Sequence, residues 1–151
     1  MNTPANQEND YRTLSVLGIA MIMGILSFSM VAIVVHYING HFVEERNLMN
    51  LILIIVLLLG TIVIIAARTI YKKRVESIKE SQGTSKEKMD SFRAMTITHM
   101  ALCEMPALIS IICFMLFGNF LFFLVVLMAL AEMTNKFPFK RSVDKVITPR
   151  F

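Results

Sequence analysis

The sequence predicts an all-α membrane protein with four transmembrane helices, the third and fourth forming a tight antiparallel hairpin and both termini on the cytoplasmic side. Three observations carry this. Apolar residues make up 56% of the chain and charged residues 17%, and the charges gather between long apolar blocks, a pattern of membrane proteins. The blocks have about the length needed to cross a hydrocarbon core of roughly 30 Å at about 1.5 Å per residue. Lysines and arginines concentrate in one loop and in the tail, which sets the sidedness. Residues 1–151 then form a single transmembrane domain, with spans at about 12–37, 48–69, 93–117 and 119–136, a cytoplasmic hairpin at 70–92 and a cytoplasmic tail at 137–151.

The start, Met1 to Asp10, is polar and acidic and lacks the basic region, short apolar core and cleavage site of a signal peptide. The first helix is therefore expected to persist in the mature protein. Its apolar run is Leu14 to Val35, and Ala20, Gly24 and Ser27 recur along it as a small-residue seam suited to close helix packing. The next segment, His36 to Asn50, carries a single arginine, Arg46, and is expected outside. His36, His41, Glu44 and Glu45 in that segment follow no recognised ligand spacing, so no metal site is expected.

The second span is Leu51 to Ala67, extended by Leu48 and Met49. Basic residues follow at once: Arg68, Lys72, Lys73, Arg74, Lys79, Lys86, Lys88 and Arg93 all fall in one loop. Ser81 to Ser85 is a flexible break at its centre, while Arg74–Ile78 and Lys86–Asp90 are suited to continue the second and third helices beyond the membrane. This gives a solvated helical hairpin or, alternatively, a docking surface.

The third span is the apolar run Ala94 to Phe117. Gly118-Asn119 tolerates the left-handed conformation and should turn the chain directly into the fourth span. That span is the shortest, an apolar run from Phe120 to Ala131 that reaches span length only by continuing to Lys136. In the tail, Phe137-Pro138-Phe139 precedes Lys140-Arg141 as an interfacial anchor, and Val143, Val146 and Ile147 recur at helical spacing as a short amphipathic turn.

Intramembrane chemistry centres on Glu104, two residues before Pro106. A carboxyl in a bilayer costs several kcal/mol unless it is protonated, paired or in a wet cavity. Pro106 lacks an N–H and frees the Leu102 carbonyl, so a protonated Glu104 has a structural use as a donor to that carbonyl. The functional alternative is a carboxyl that binds and releases a proton or cation. Glu104 and Glu132 lie at similar distances, roughly 20 Å, from the Gly118-Asn119 turn, so converging faces would let them share a proton or hold a cation. Against this, Glu132 precedes Lys136 by four residues, the spacing of a simple helical ion pair.

Thr96, His99, Cys103, Pro106 and Ser110 mark one stripe of the third helix, expected as a hydrogen-bonding seam against another helix. His99 points about 140° away from Glu104, which disfavours a relay between them. Cys103 and Cys113 are about 15 Å apart along the helix, too far for a disulfide, and are expected as free thiols.

The third span, with Arg93, Ala101-Leu102-Cys103-Glu104-Met105-Pro106-Ala107-Leu108 and Gly118-Asn119, resembles a group of small, mostly uncharacterised four-span inner-membrane proteins of Bacteroidota, as does the tail from Phe137-Pro138 to Asp144-Lys145-Val146-Ile147. The resemblance covers about Phe92 to Ile147 and implies a multi-pass location in a bacterial inner membrane. The same span is also similar to the carboxylate helix of rotary ATP synthase ring proteolipids, which implies an ion-binding role for Glu104. The glycine-repeat helix of those proteins is missing here, since the chain has six glycines and none in such a repeat.

The net charge of +4 reflects orientation and attraction to anionic lipid, and with no aromatic residues interleaved among the basic residues from Lys72 to Lys88 as a stacking platform would require, it does not point to nucleic acid. No phosphate-cradling loop or nucleophile constellation is present, so neither an enzyme nor a cofactor is expected. What remains is a membrane-embedded interaction or accessory subunit of a larger complex. The alternative is a proton- or cation-translocating oligomer centred on Glu104.

Overall fold

The computed structural model describes residues 4–40 and 45–137. Within them the chain is entirely helical: α1 is Pro4–Asn39, α2 Arg46–Glu80, α3 Ser85–Phe117 and α4 Phe123–Asn135, with one 3-10 turn at Phe120–Phe122 before α4. Three of these, α1 to α3, are long and apolar enough to cross a membrane. The expected fourth span is shorter than a full crossing, because Phe120–Asn135 covers only about 24 Å of a core of roughly 30 Å.

Helix ends follow local chemistry. Gly40 closes α1 with φ 73° and donates its N–H to the His36 carbonyl at 2.8 Å, a left-handed stop open to glycine because it has no Cβ. α2 and α3 do continue beyond the apolar blocks and break at residues 81–84, as their charge pattern predicts. The break also carries a reciprocal cap: the Thr84 hydroxyl accepts from the Glu87 N–H, and the Glu87 carboxylate accepts from the Thr84 N–H at 2.9 Å. Gly118 ends α3 with φ 69°, and the Asn119 side chain accepts from the Leu121 N–H at 3.0 Å, which starts the 3-10 turn. The tight hairpin of α3 and α4 is thus formed as the Gly118-Asn119 pair predicts.

The central helix is α3. It contacts each of the others, α2 also contacts α4, and α1 and α2 barely touch. Its core face carries Met100, Cys103, Ala107, Ile111 and Phe114, which meet Ile25 and Ala32 of α1 and Val125, Val126 and Ala129 of α4 in one apolar cluster. Around the turn, Phe114 lies 5.1 Å from the His36 ring, 5.0 Å from Phe120 and 4.8 Å from Phe123, in the offset geometry that aromatic quadrupoles favour. A second cluster at the basic end joins Leu14, Ile78, Met89, Phe92 and Met95. The remaining surface of α1 and α2 is rich in exposed apolar side chains such as Val16, Met30, Leu58 and Ile62, as expected of helices bathed in lipid.

The small-residue seam of α1 points the other way from expectation. Ala20, Gly24 and Ser27 are exposed, and a Cβ built on Gly24 meets nothing within 4 Å among the described residues. The buried side of α1 instead carries Leu14, Gly18, Ile25, Ser29 and Ala32. Because α1 is apolar nearly all the way round, its sequence does not mark which side faces inward.

Candidate functional site

The polar stripe of α3 is buried, as its spacing predicts, but it is only in part the hydrogen-bonding seam expected against another helix. Thr96, His99, Cys103, Pro106 and Ser110 are all buried. Thr96 donates to the Phe92 carbonyl of its own helix, and the Ser110 hydroxyl donates to the Phe122 carbonyl across the hairpin. Pro106 sits inside an unbroken α3 and packs toward Gly60 of α2. Cys103 is a buried free thiol and Cys113 a half-buried one.

The bond from Ser110 to Phe122 fixes the register of the hairpin. Ser110 stands about eight residues before Gly118, whereas Phe122 stands about four after it, so the returning chain is advanced by roughly four residues, or about 6 Å. The cause is local: extended backbone at Asn119 and the 3-10 turn, with its rise of about 2.0 Å per residue, bring α4 back beside α3 faster than a symmetric helical hairpin would. Carried along α4, this register sets Glu132 opposite His99 and Met100, not opposite Glu104.

The side chains follow. His99 Nε2 and Glu132 Oε1 face each other at 3.9 Å, and both residues are buried, His99 at 3% exposure and Glu132 at 8%. At that distance the pair is electrostatic without a hydrogen bond, and both atoms are buried without a hydrogen-bond partner. Such orphaned groups are costly in a low-dielectric setting. Tyr71 of α2 closes the group: its ring centroid lies 4.8 Å from that of His99, and its phenol lies beside Thr96.

Two expectations change accordingly. The ion pair between Glu132 and Lys136 is not formed, because the Lys136 ammonium sits over the Tyr71 ring, 5.8 Å from its centroid, while Glu132 turns inward to His99. Glu104 is half-buried, about 100° round the helix from Cys103, and among the described residues it has no hydrogen-bond or ion-pair partner. Its carboxyl therefore does not satisfy the Leu102 carbonyl. Of the outer-segment histidines and acids, His41 and Glu44 lie outside the described residues, as do Pro138 to Ile147 of the anchor and tail, and no group of three metal-ligating side chains occurs among those described.

Sequence reasoning missed Tyr71 and Lys136 as members of this group. The available signal was that both belong to the basic end of the chain's apolar blocks, where a tyrosine is a customary interfacial residue. Beside the group, a cavity of about 400 Å³ lies between α2 and α3, lined by Tyr71, Arg74, Ser77, Thr98 and His99 among others. Compared with protein-family models, curated proteins and solved structures, the chain matches none of them.

Proposed function

We propose that the chain is a small multi-pass protein of a bacterial inner membrane that acts as an interaction or accessory subunit of a larger membrane complex. In this reading α4 completes a fourth passage, both termini lie in the cytoplasm and the chain carries no catalytic chemistry of its own. The observation that carries it is the outward face of α1. Gly18 and Gly60 are closely approached by neighbouring side chains, but Gly24, with Ala20 and Ser27, is turned away from the rest of the bundle. Small residues let helices approach closely and gain dispersion contacts, so this face supports docking of a helix from another chain.

The test is gentle detergent extraction with mass measurement, comparing wild type with Gly24→Leu. Stoichiometric foreign subunits should accompany the wild type and be lost from the variant, while the isolated chain keeps its helicity and thermal stability because none of the described residues touches that site. A monodisperse monomer with no partner in either sample would defeat the proposal.

A second reading has its own observation, the buried and unbonded pair of His99 and Glu132. A proton or cation held between them would satisfy both groups, which supports a translocating oligomer whose centre is this pair, with Glu104 as the further carboxyl along α3. Reconstituted into liposomes, such an assembly passes protons or sodium, Glu132→Gln abolishes the flux and Glu104→Gln reduces it less. Flux lost only in Glu104→Gln would move the centre back to Glu104. Absence of flux in the wild type would remove the reading.

A further inference from the structure

We propose that the cavity between α2 and α3 is a binding site for the phosphate-bearing headgroup of an anionic phospholipid. Its polar walls are Tyr71, Arg74 and Ser77 from α2 and Ser91, Thr98 and His99 from α3. These supply hydroxyl, guanidinium and imidazole groups, and among the described residues no Asp or Glu lines the space. Among the described residues Arg74 has no carboxylate partner, so its fork of donors is free for phosphate oxygens. Glu132 faces His99 and does not line the cavity.

Position selects a lipid over a free ion. Arg74 stands about 9 Å along α2 beyond Arg68, the first charge after the apolar block, which is headgroup depth when the apolar block fills the hydrocarbon core. On the membrane side the walls change to Ala67, Ile70 and Leu102. Further along, the same open side of α3 carries Met105, Ile109 and Ile112, each about half exposed or more. A phosphate held by Arg74 would thus have acyl chains running onto an apolar face that α1 and α2, which barely touch, leave uncovered. Basic pockets between helices at the cytoplasmic surface are suited to such headgroups.

The full-length protein in mixed micelles containing equimolar phosphatidylglycerol and phosphatidylcholine is the test, read by native mass spectrometry. Wild type should retain phosphatidylglycerol preferentially, and Arg74→Gln should lower that retention about tenfold, the size of one lost charge-assisted hydrogen-bonding group. Lys72→Gln, which removes an exposed charge of the same helix outside the cavity, should change it by less than about twofold. Ala94→Trp, which fills the cavity between Ser91 and Thr98, should also lower retention while leaving helicity intact.

Equal retention of the two lipids by wild type overturns the proposal, as does an equal loss in Lys72→Gln, which would mean surface charge alone. Displacement of phosphatidylglycerol by millimolar inorganic phosphate would mean that a free anion is the occupant and also overturns it. Retention of helicity and monodisperse elution by Arg74→Gln separates loss of binding from loss of fold.

Discussion

Gly60→Ala is expected to destabilise the bundle, although alanine is the better helix former. A Cβ at this position would lie 2.7 Å from Val125 Cγ1, 3.3 Å from its Cγ2 and 3.7 Å from Pro106 Cβ, so three helices converge on the missing side chain. The nearest neighbour cannot yield cheaply. Valine is branched at Cβ and stiff at χ1, and proline has no rotamer to change, so relief requires α2 to move away from α3 and α4. Overpacking of this kind costs about 1–3 kcal/mol, against a helix-propensity gain of roughly 1 kcal/mol.

Gly18 is the internal contrast. There an added Cβ meets the terminal methyl of Met100 at 2.9 Å and the edge of Phe137 at 3.0 Å, and the methionine can swing aside. Gly18→Ala should therefore cost clearly less than Gly60→Ala. Val125→Ala removes the two methyls in the way, so the double variant with Gly60→Ala should be more stable than the sum of the single effects implies. Unfolding in mixed micelles by a denaturing detergent measures all four variants. Additivity at Gly60 and Val125, or a Gly60→Ala variant as stable as wild type, would mean that α2 does not bear on α4 here.

The parts of the fold carried by local chemistry were readable from the sequence, and those set by helix rotation were not. Length and polarity of the blocks located the helices, Gly118-Asn119 located the hairpin, and three- and four-residue spacing located the buried stripe from Thr96 to Ser110. The Thr84 and Glu87 cap was equally available, as a threonine followed three residues later by glutamate, but the serines and glycine around it suggested a loose break. The partner of Glu132 was another matter. Counting equal rises on both sides of the turn gives Glu104, and the 3-10 turn shifts that answer by about one helical turn to His99. Likewise, two sets of small or short residues compete along α1, and only tertiary contact decides that Gly18 goes inside and Gly24 outside.

Single replacements of His99 or Glu132 by leucine are expected to destabilise the chain, while the double replacement recovers most of the loss. Each single change leaves the other polar group buried without a partner, which costs up to about 3–5 kcal/mol when the survivor is charged and less when it is neutral. The double change removes both orphans and restores apolar contact in a core already built from Cys103, Val126, Ala129 and Met133. Coupling between the two sites should exceed about 1 kcal/mol. Glu104→Leu behaves differently, because a half-buried carboxyl without a partner has nothing to orphan, and its loss should leave stability unchanged or raised. This set also separates structure from function at the buried pair. If His99 and Glu132 only close a seam, the double leucine variant is nearly as stable as wild type and assembles as well. If they hold a proton or cation for transport, that same stable variant is silent in the liposome assay, and its silence cannot be ascribed to misfolding.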